Sequence, residues 1–226
     1  MASQKNTTLT SRTAAWIGGI ALLLIAIVAG IGNLGLLAPL ISSDDATTLV
    51  DKVAGSELQF RAGVLCMIIA AILDVVVAAA LLRVFENVNR IVAVTAAWFR
   101  VSYAAVFVAA IAQLATVPGL LGEPDAALHA VDAFNVVWQL GLILFGVHLL
   151  LVGYLAFRLG IVAKIVGVLV AIAGLGYLID GIATVMIDGY TPTIATFIFI
   201  GEVVLIAWLI ATALTGQKQP VETLGL

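Results

Sequence analysis

The chain has 226 residues, 63% of them hydrophobic and only 10% charged, with a formal net charge of -3 and a mean hydropathy of +1.22. A soluble domain runs at about 45–50% apolar and 25% charged residues, and so few charges cannot cover a soluble surface. These values exclude a soluble enzyme and a disordered chain; with ten Lys+Arg against thirteen Asp+Glu they also exclude a basic nucleic-acid-binding surface, and they specify an integral membrane protein.

A membrane-spanning helix needs about 20 mainly apolar residues. Six stretches qualify, at about 16–41, 61–82, 91–117, 131–157, 162–187 and 194–214. The expectation is an all-α, polytopic bundle of six transmembrane helices. It forms a single transmembrane domain over 1–226 with short polar N- and C-terminal tails. The longest connection is about 42–59.

The first stretch follows a polar lead holding Lys5 and Arg12, as a signal peptide would. Its apolar run exceeds the roughly 7–15 residues of a signal core, so it reads as a retained span. The second stretch contains Cys66 and Asp74, and the third contains Arg100 and Tyr103. A lone cysteine makes no internal disulfide, and Cys66 reads as a small buried residue. The fourth stretch carries Asn135, Gln139 and His148; Asn135 and Gln139 share a face roughly opposite His148. On the fifth, Gly167, Gly174 and Gly181 recur every seven residues on one face, which suits a close seam with another helix in lipid. Tyr177 and Asp180 lie on the same helix, and Glu202 lies near the centre of the sixth.

Basic residues set the threading. With the N-terminus in the cytoplasm, Lys5, Arg12, Arg83, Arg90, Arg158, Lys164 and Lys218 fall inside, and only Lys52 and Arg61 fall outside. The positive-inside rule therefore places both termini in the cytoplasm, in a cytoplasmic membrane. The outer connections hold Asp44, Asp45, Asp51, Glu57, Glu123, Asp125 and Asp188, which makes the outer face acidic.

The informative residues are the ionisable ones at membrane depth, where a charge costs about 2.5–3.5 kcal/mol and normally faces inward with a partner. They are Asp74, Arg100, His148, Asp180 and Glu202, with Tyr177 one turn before Asp180. The second and third spans are antiparallel neighbours joined by a tight turn near 86–89. At 1.5 Å per residue, Asp74 and Arg100 fall at matching depth, roughly 3–4 Å from the midplane, and an ion pair is expected. Arg100 is one positive charge against the three carboxyl groups of Asp74, Asp180 and Glu202. Uncompensated buried carboxylates take up protons or bind cations.

Several segments carry a likeness beyond composition. They are 73–78 around Asp74, Asn89-Arg90, 96–104 with Trp98-Phe99-Arg100, 141–154 with Leu144-Phe145-Gly146-Val147-His148-Leu149, and 173–180 ending Gly176-Tyr177-Leu178-Ile179-Asp180. Together they resemble the bacterial multi-pass membrane proteins grouped as domain of unknown function family 4386, over about 12–215 of the chain. The resemblance implies a multi-span protein of a bacterial membrane and no particular reaction. It places Asp74, Arg100, His148, Tyr177 and Asp180 in recognisable segments and leaves Glu202 outside them.

The reading favoured by these residues is a protein that binds or transports a small solute or cation through an intramembrane polar layer. Its partners are the lipid bilayer and that solute, with no cofactor and no nucleic acid. One alternative is a structural or accessory membrane protein whose polar layer only holds helices together. Another is a membrane-embedded enzyme acting on a lipid or quinone, with His148 and Asp74 as acid–base groups. No nucleophile motif, metal triad or cofactor signature supports that second alternative.

Overall fold

The computed structural model describes residues 11–194 and 200–215. Among these residues the chain is all helical, with no strand. In chain order the helices are α1 (Ser11–Ile41), α2 (Ala46–Gly55), α3 (Glu57–Phe85), α4 (Arg90–Thr116), α5 (Pro124–Phe157), α6 (Ile161–Met186) and α7 (Ile200–Thr215). The helices α1, α3, α4, α5 and α6 are long and apolar enough to cross a membrane, and α7 is a shorter apolar helix. The start of the expected sixth span, 195–199, lies outside the described residues.

Local chemistry marks the helix ends. The Asn89 side chain caps α4 by accepting from the Val92 N–H at 3.2 Å. The turn between α3 and α4 therefore falls where the sequence places it. Pro124 opens α5 at a position where its missing N–H costs no bond. Gly160 caps α6 in an extended conformation.

Two features depart from the expected pattern. The connection at 42–59 is not plain loop, because α2 occupies most of it. Asp45 caps α2 through the Thr48 N–H at 2.7 Å, and Leu49, Val50 and Val53 bury its apolar side. The Thr48 hydrogen bonds hold the Asp45 carboxyl below its ordinary value. Within α1, Gly30–Leu37 winds as a π-helix, closed by the Ala38 N–H on the Asn33 carbonyl. This segment meets α3 very closely. A Cβ added at Gly63 would stand 3.2 Å from the Gly32 carbonyl oxygen and 3.0 Å from a Leu37 methyl. Gln59 Nε2 donates to the Leu36 carbonyl at 3.0 Å, a carbonyl that the widened turn leaves within reach.

The long helices form a ring. Each packs on the next in the order α1, α3, α4, α5, α6 and α7, and α7 returns to α1. At the closing seam Gly18 and Gly19 of α1 meet Leu209 and Ile210 of α7, and Arg12 Nε donates to the Ala213 carbonyl at 2.8 Å. The glycine stripe of α6 lies against α5. A Cβ on Gly146 would stand 2.7 Å from the Gly174 carbonyl oxygen, and one on Gly153 would stand 2.7 Å from that of Gly167. Glycine, with no Cβ, is what lets the two backbones approach this closely. Inside the ring, Phe60, Met67, Phe85, Phe134, Leu149 and Leu205 fill the core.

Candidate functional site

The polar layer is built from three neighbouring helices. On α4, Ala93, Ala96, Arg100, Tyr103, Ala104 and Phe107 form the buried stripe at helical spacing, so Arg100 points into the ring. On α3, Asp74 lies among the small buried residues Ala70, Ala71 and Ala78, which leave room for a long partner. On α5, Phe145 and His148 lie three apart on the buried face. Exposure is 4% at Asp74, 2% at Arg100 and 0% at His148, so no bulk water solvates the three.

Their contacts form one chain of hydrogen bonds. Arg100 Nη2 donates to Asp74 Oδ1 at 2.5 Å, the ion pair expected from matching depth. Arg100 Nη1 meets His148 Nε2 at 3.1 Å, and His148 Nδ1 meets the Ala96 carbonyl at 2.8 Å. A guanidinium only donates and a carbonyl only accepts. His148 therefore carries its hydrogen on Nδ1 and accepts on Nε2, a neutral ring in one tautomer. The guanidinium lies 5.3 Å from the Phe145 ring centroid, within cation–π range. Arg100 Nε has no hydrogen-bond partner among the described residues.

Phe145 joins this triad to the rest of the interior. Its ring is 4.9 Å from that of Tyr103 and 5.3 Å, edge on, from that of Tyr177. Tyr103 accepts from Trp138 Nε1 at 3.3 Å. Beyond the aromatic cluster, the Tyr177 hydroxyl donates to Glu202 Oε1 at 2.7 Å. Glu202 is half-buried and lies within electrostatic reach of Arg100 and Asp74 across the ring.

Asp180 lies one turn beyond Tyr177 on α6. It is buried, and its Oδ1 accepts from the Tyr190 hydroxyl at 2.7 Å. That bond pushes the Tyr190 phenol above its ordinary value. Tyr190 follows Gly189, whose φ of +71° turns the chain back over the end of α6. The structure thus sorts the sequence-derived residues into three groups: Asp74, Arg100 and His148; Tyr177 and Glu202; and Asp180, joined by Tyr190. Sequence reasoning missed Tyr190 and Phe145. Phe145 had a signal in its spacing from His148, whereas Tyr190 lies beyond the expected span and had none.

No group of three or more His, Cys, Asp or Glu residues that could hold a metal ion occurs among the described residues.

A family model described as Domain of unknown function (DUF4386) matches residues 17–213. The chain belongs to this family. The DUF4386 match takes in Asp74, Arg100, His148, Tyr177, Asp180 and Glu202, so Glu202 lies inside it as well. An uncharacterized protein of the archaeon Archaeoglobus fulgidus is 33% identical over 139 residues, which is 62% of this chain and 76% of that protein. The likeness thus reaches beyond the bacteria expected from the sequence. No solved structure is significantly similar to the chain.

Proposed function

We propose that this membrane protein binds and transfers a small cation or solute through the interior of its six-helix ring. The observation that carries the reading is Glu202. It is joined through Tyr177 to the aromatic cluster that packs on Arg100, yet its hydrogen bond comes from a neutral tyrosine. The single guanidinium is committed to Asp74 and His148. The interior therefore holds more acid than base, which suits a positively charged or proton-coupled cargo. On this reading the protein lies in the cytoplasmic membrane as one transmembrane domain with both termini inside, a threading that the distribution of its basic residues supports. The acidic outer face gathers cations at one mouth.

The test is ion flux. Vesicles containing the purified protein and an entrapped pH dye are driven by a potassium diffusion potential. Flux above protein-free vesicles, lost in Glu202→Gln protein that remains folded, supports the reading. Vesicles no more permeable than protein-free ones to a panel of protons, alkali cations and small polar solutes would refute it.

A second reading has its own observation. The Asp74–Arg100–His148 triad is dry and internally paired, the form expected of a lock between α3, α4 and α5. If flux is absent, this lock is the role of the layer, and the protein is a structural or accessory component.

A further inference from the structure

We propose that Glu202, hydrogen-bonded to Tyr177, is the group of the polar layer that takes up and releases a proton. The proposal deepens the transport reading and rests on it for its purpose, though not for its chemistry.

Three carboxyl groups lie at membrane depth, and the structure gives them different company. Asp74 has the guanidinium of Arg100 at 2.5 Å, so its charge is balanced. Asp180 is buried beneath Tyr190, which donates to it at 2.7 Å. Glu202 is the half-buried one. From α6 it receives the Tyr177 hydroxyl at 2.7 Å, with Asp180 one turn further along that helix. Across the ring stand Asp74 on α3, Arg100 and Tyr103 on α4, and His148 on α5. From α1 the described titratable group is Arg12, which is at the far end against Ala213. No described basic group touches Glu202.

An ionised carboxylate in this position has one neutral donor and no adjacent cation. At membrane depth that arrangement is costly, and a bound proton removes the cost. The Tyr177 hydroxyl suits the cycle because it can donate to the carboxylate and accept from the protonated acid. Its ring is held against Phe145, so the hydroxyl stays in place in both states. Glu202 is also less enclosed by protein than Asp74 and Asp180.

A hydrophobic carbodiimide reads this state directly. A protonated carboxyl passes its hydrogen to a carbodiimide nitrogen, and its oxygen adds to the central carbon. The adduct rearranges to a stable acylurea with nothing leaving. Full-length protein in vesicles is treated with dicyclohexylcarbodiimide over a range of pH, and the adduct is located by peptide fragmentation. The expected result is one adduct on Glu202, with labelling that falls as pH rises and is lost in Glu202→Gln. Sodium or lithium added at constant pH leaves it unchanged. An adduct on Asp74 or Asp180 instead, or none, would overturn the proposal. So would protection by sodium or lithium, which would make the occupant an alkali cation. The wild-type adduct map does not depend on any variant folding. Labelling without flux retires the transport reading and keeps the proton site; flux with an unlabelled Glu202 does the reverse.

Discussion

Replacing Arg100 by methionine isolates the worth of the buried triad. Methionine keeps much of the stem and removes the guanidinium. Asp74, only 4% exposed, then loses its 2.5 Å partner, and His148 Nε2 loses its 3.1 Å donor. Removing one member of a buried ion pair costs about 3–5 kcal/mol. A buried acceptor left without a donor costs about 1–3 kcal/mol. Both losses come from one guanidinium and overlap, so a total of about 4 kcal/mol is expected. The double variant Asp74→Leu with Arg100→Met removes both charges. It recovers about 1–3 kcal/mol of the loss, leaving roughly 1–3 kcal/mol for the stranded histidine nitrogen. The assay is reversible unfolding in bicelles by titration with SDS, followed by tryptophan fluorescence. Arg100→Met protein within about 1 kcal/mol of wild type would refute the reasoning, because a broken buried pair cannot be that cheap. A double variant no better than the single one would refute it equally.

Other parts of the structure give independent tests. Gly153→Ala puts a methyl 2.7 Å from the Gly167 carbonyl oxygen and 3.0 Å from the Ala171 backbone nitrogen, neither of which can swing aside. It should destabilise the bundle by about 1–3 kcal/mol in the same unfolding assay. Gly55→Ala, with nothing within 4 Å of the new methyl, introduces no such clash and serves as the control. At the cap of α2, the Asp45 carboxyl is held below its ordinary value by Thr48. A carboxyl lowered on folding stabilises above its unfolded pKa, and that contribution is lost as pH falls through the lowered value. The protection factor of the Thr48 amide, taken against the intrinsic exchange rate at each pH, should therefore fall on acidification through the carboxylate range, and that fall should be absent in Asp45→Ala.

Much of the arrangement could be read from residue order because the geometry of a spanning helix is so constrained. Asp74 and Arg100 flank one tight turn on antiparallel helices, so a fixed rise per residue puts them level. Tyr177 and Glu202 are level by the same arithmetic, but depth says nothing about rotation around the helix axis. Their meeting depends on how α6 and α7 are turned, which apolar sequence hardly encodes. Glu202 was the weakest candidate by sequence likeness, yet it lacks the cation that Asp74 has. The α2 helix did leave a trace, in an Asp45 cap followed by apolar residues at 49, 50 and 53. Its short length hid it among loop residues. The π-helical stretch of α1 left none, since glycines at 30, 32 and 35 permit such a turn without demanding it.

The closure of the ring by α7 on α1 has a consequence for synthesis. Gly19 meets Ile210, roughly 190 residues later in the chain. At about 5–20 residues per second, ribosomes take roughly 10–40 s to cover that distance. For that interval α1 has its glycine-marked flank turned to lipid or to the insertion machinery, with its mate not yet made. The last of the described helices to emerge is thus the one that seals α1, and a chain ending before it is an open arc instead of a ring.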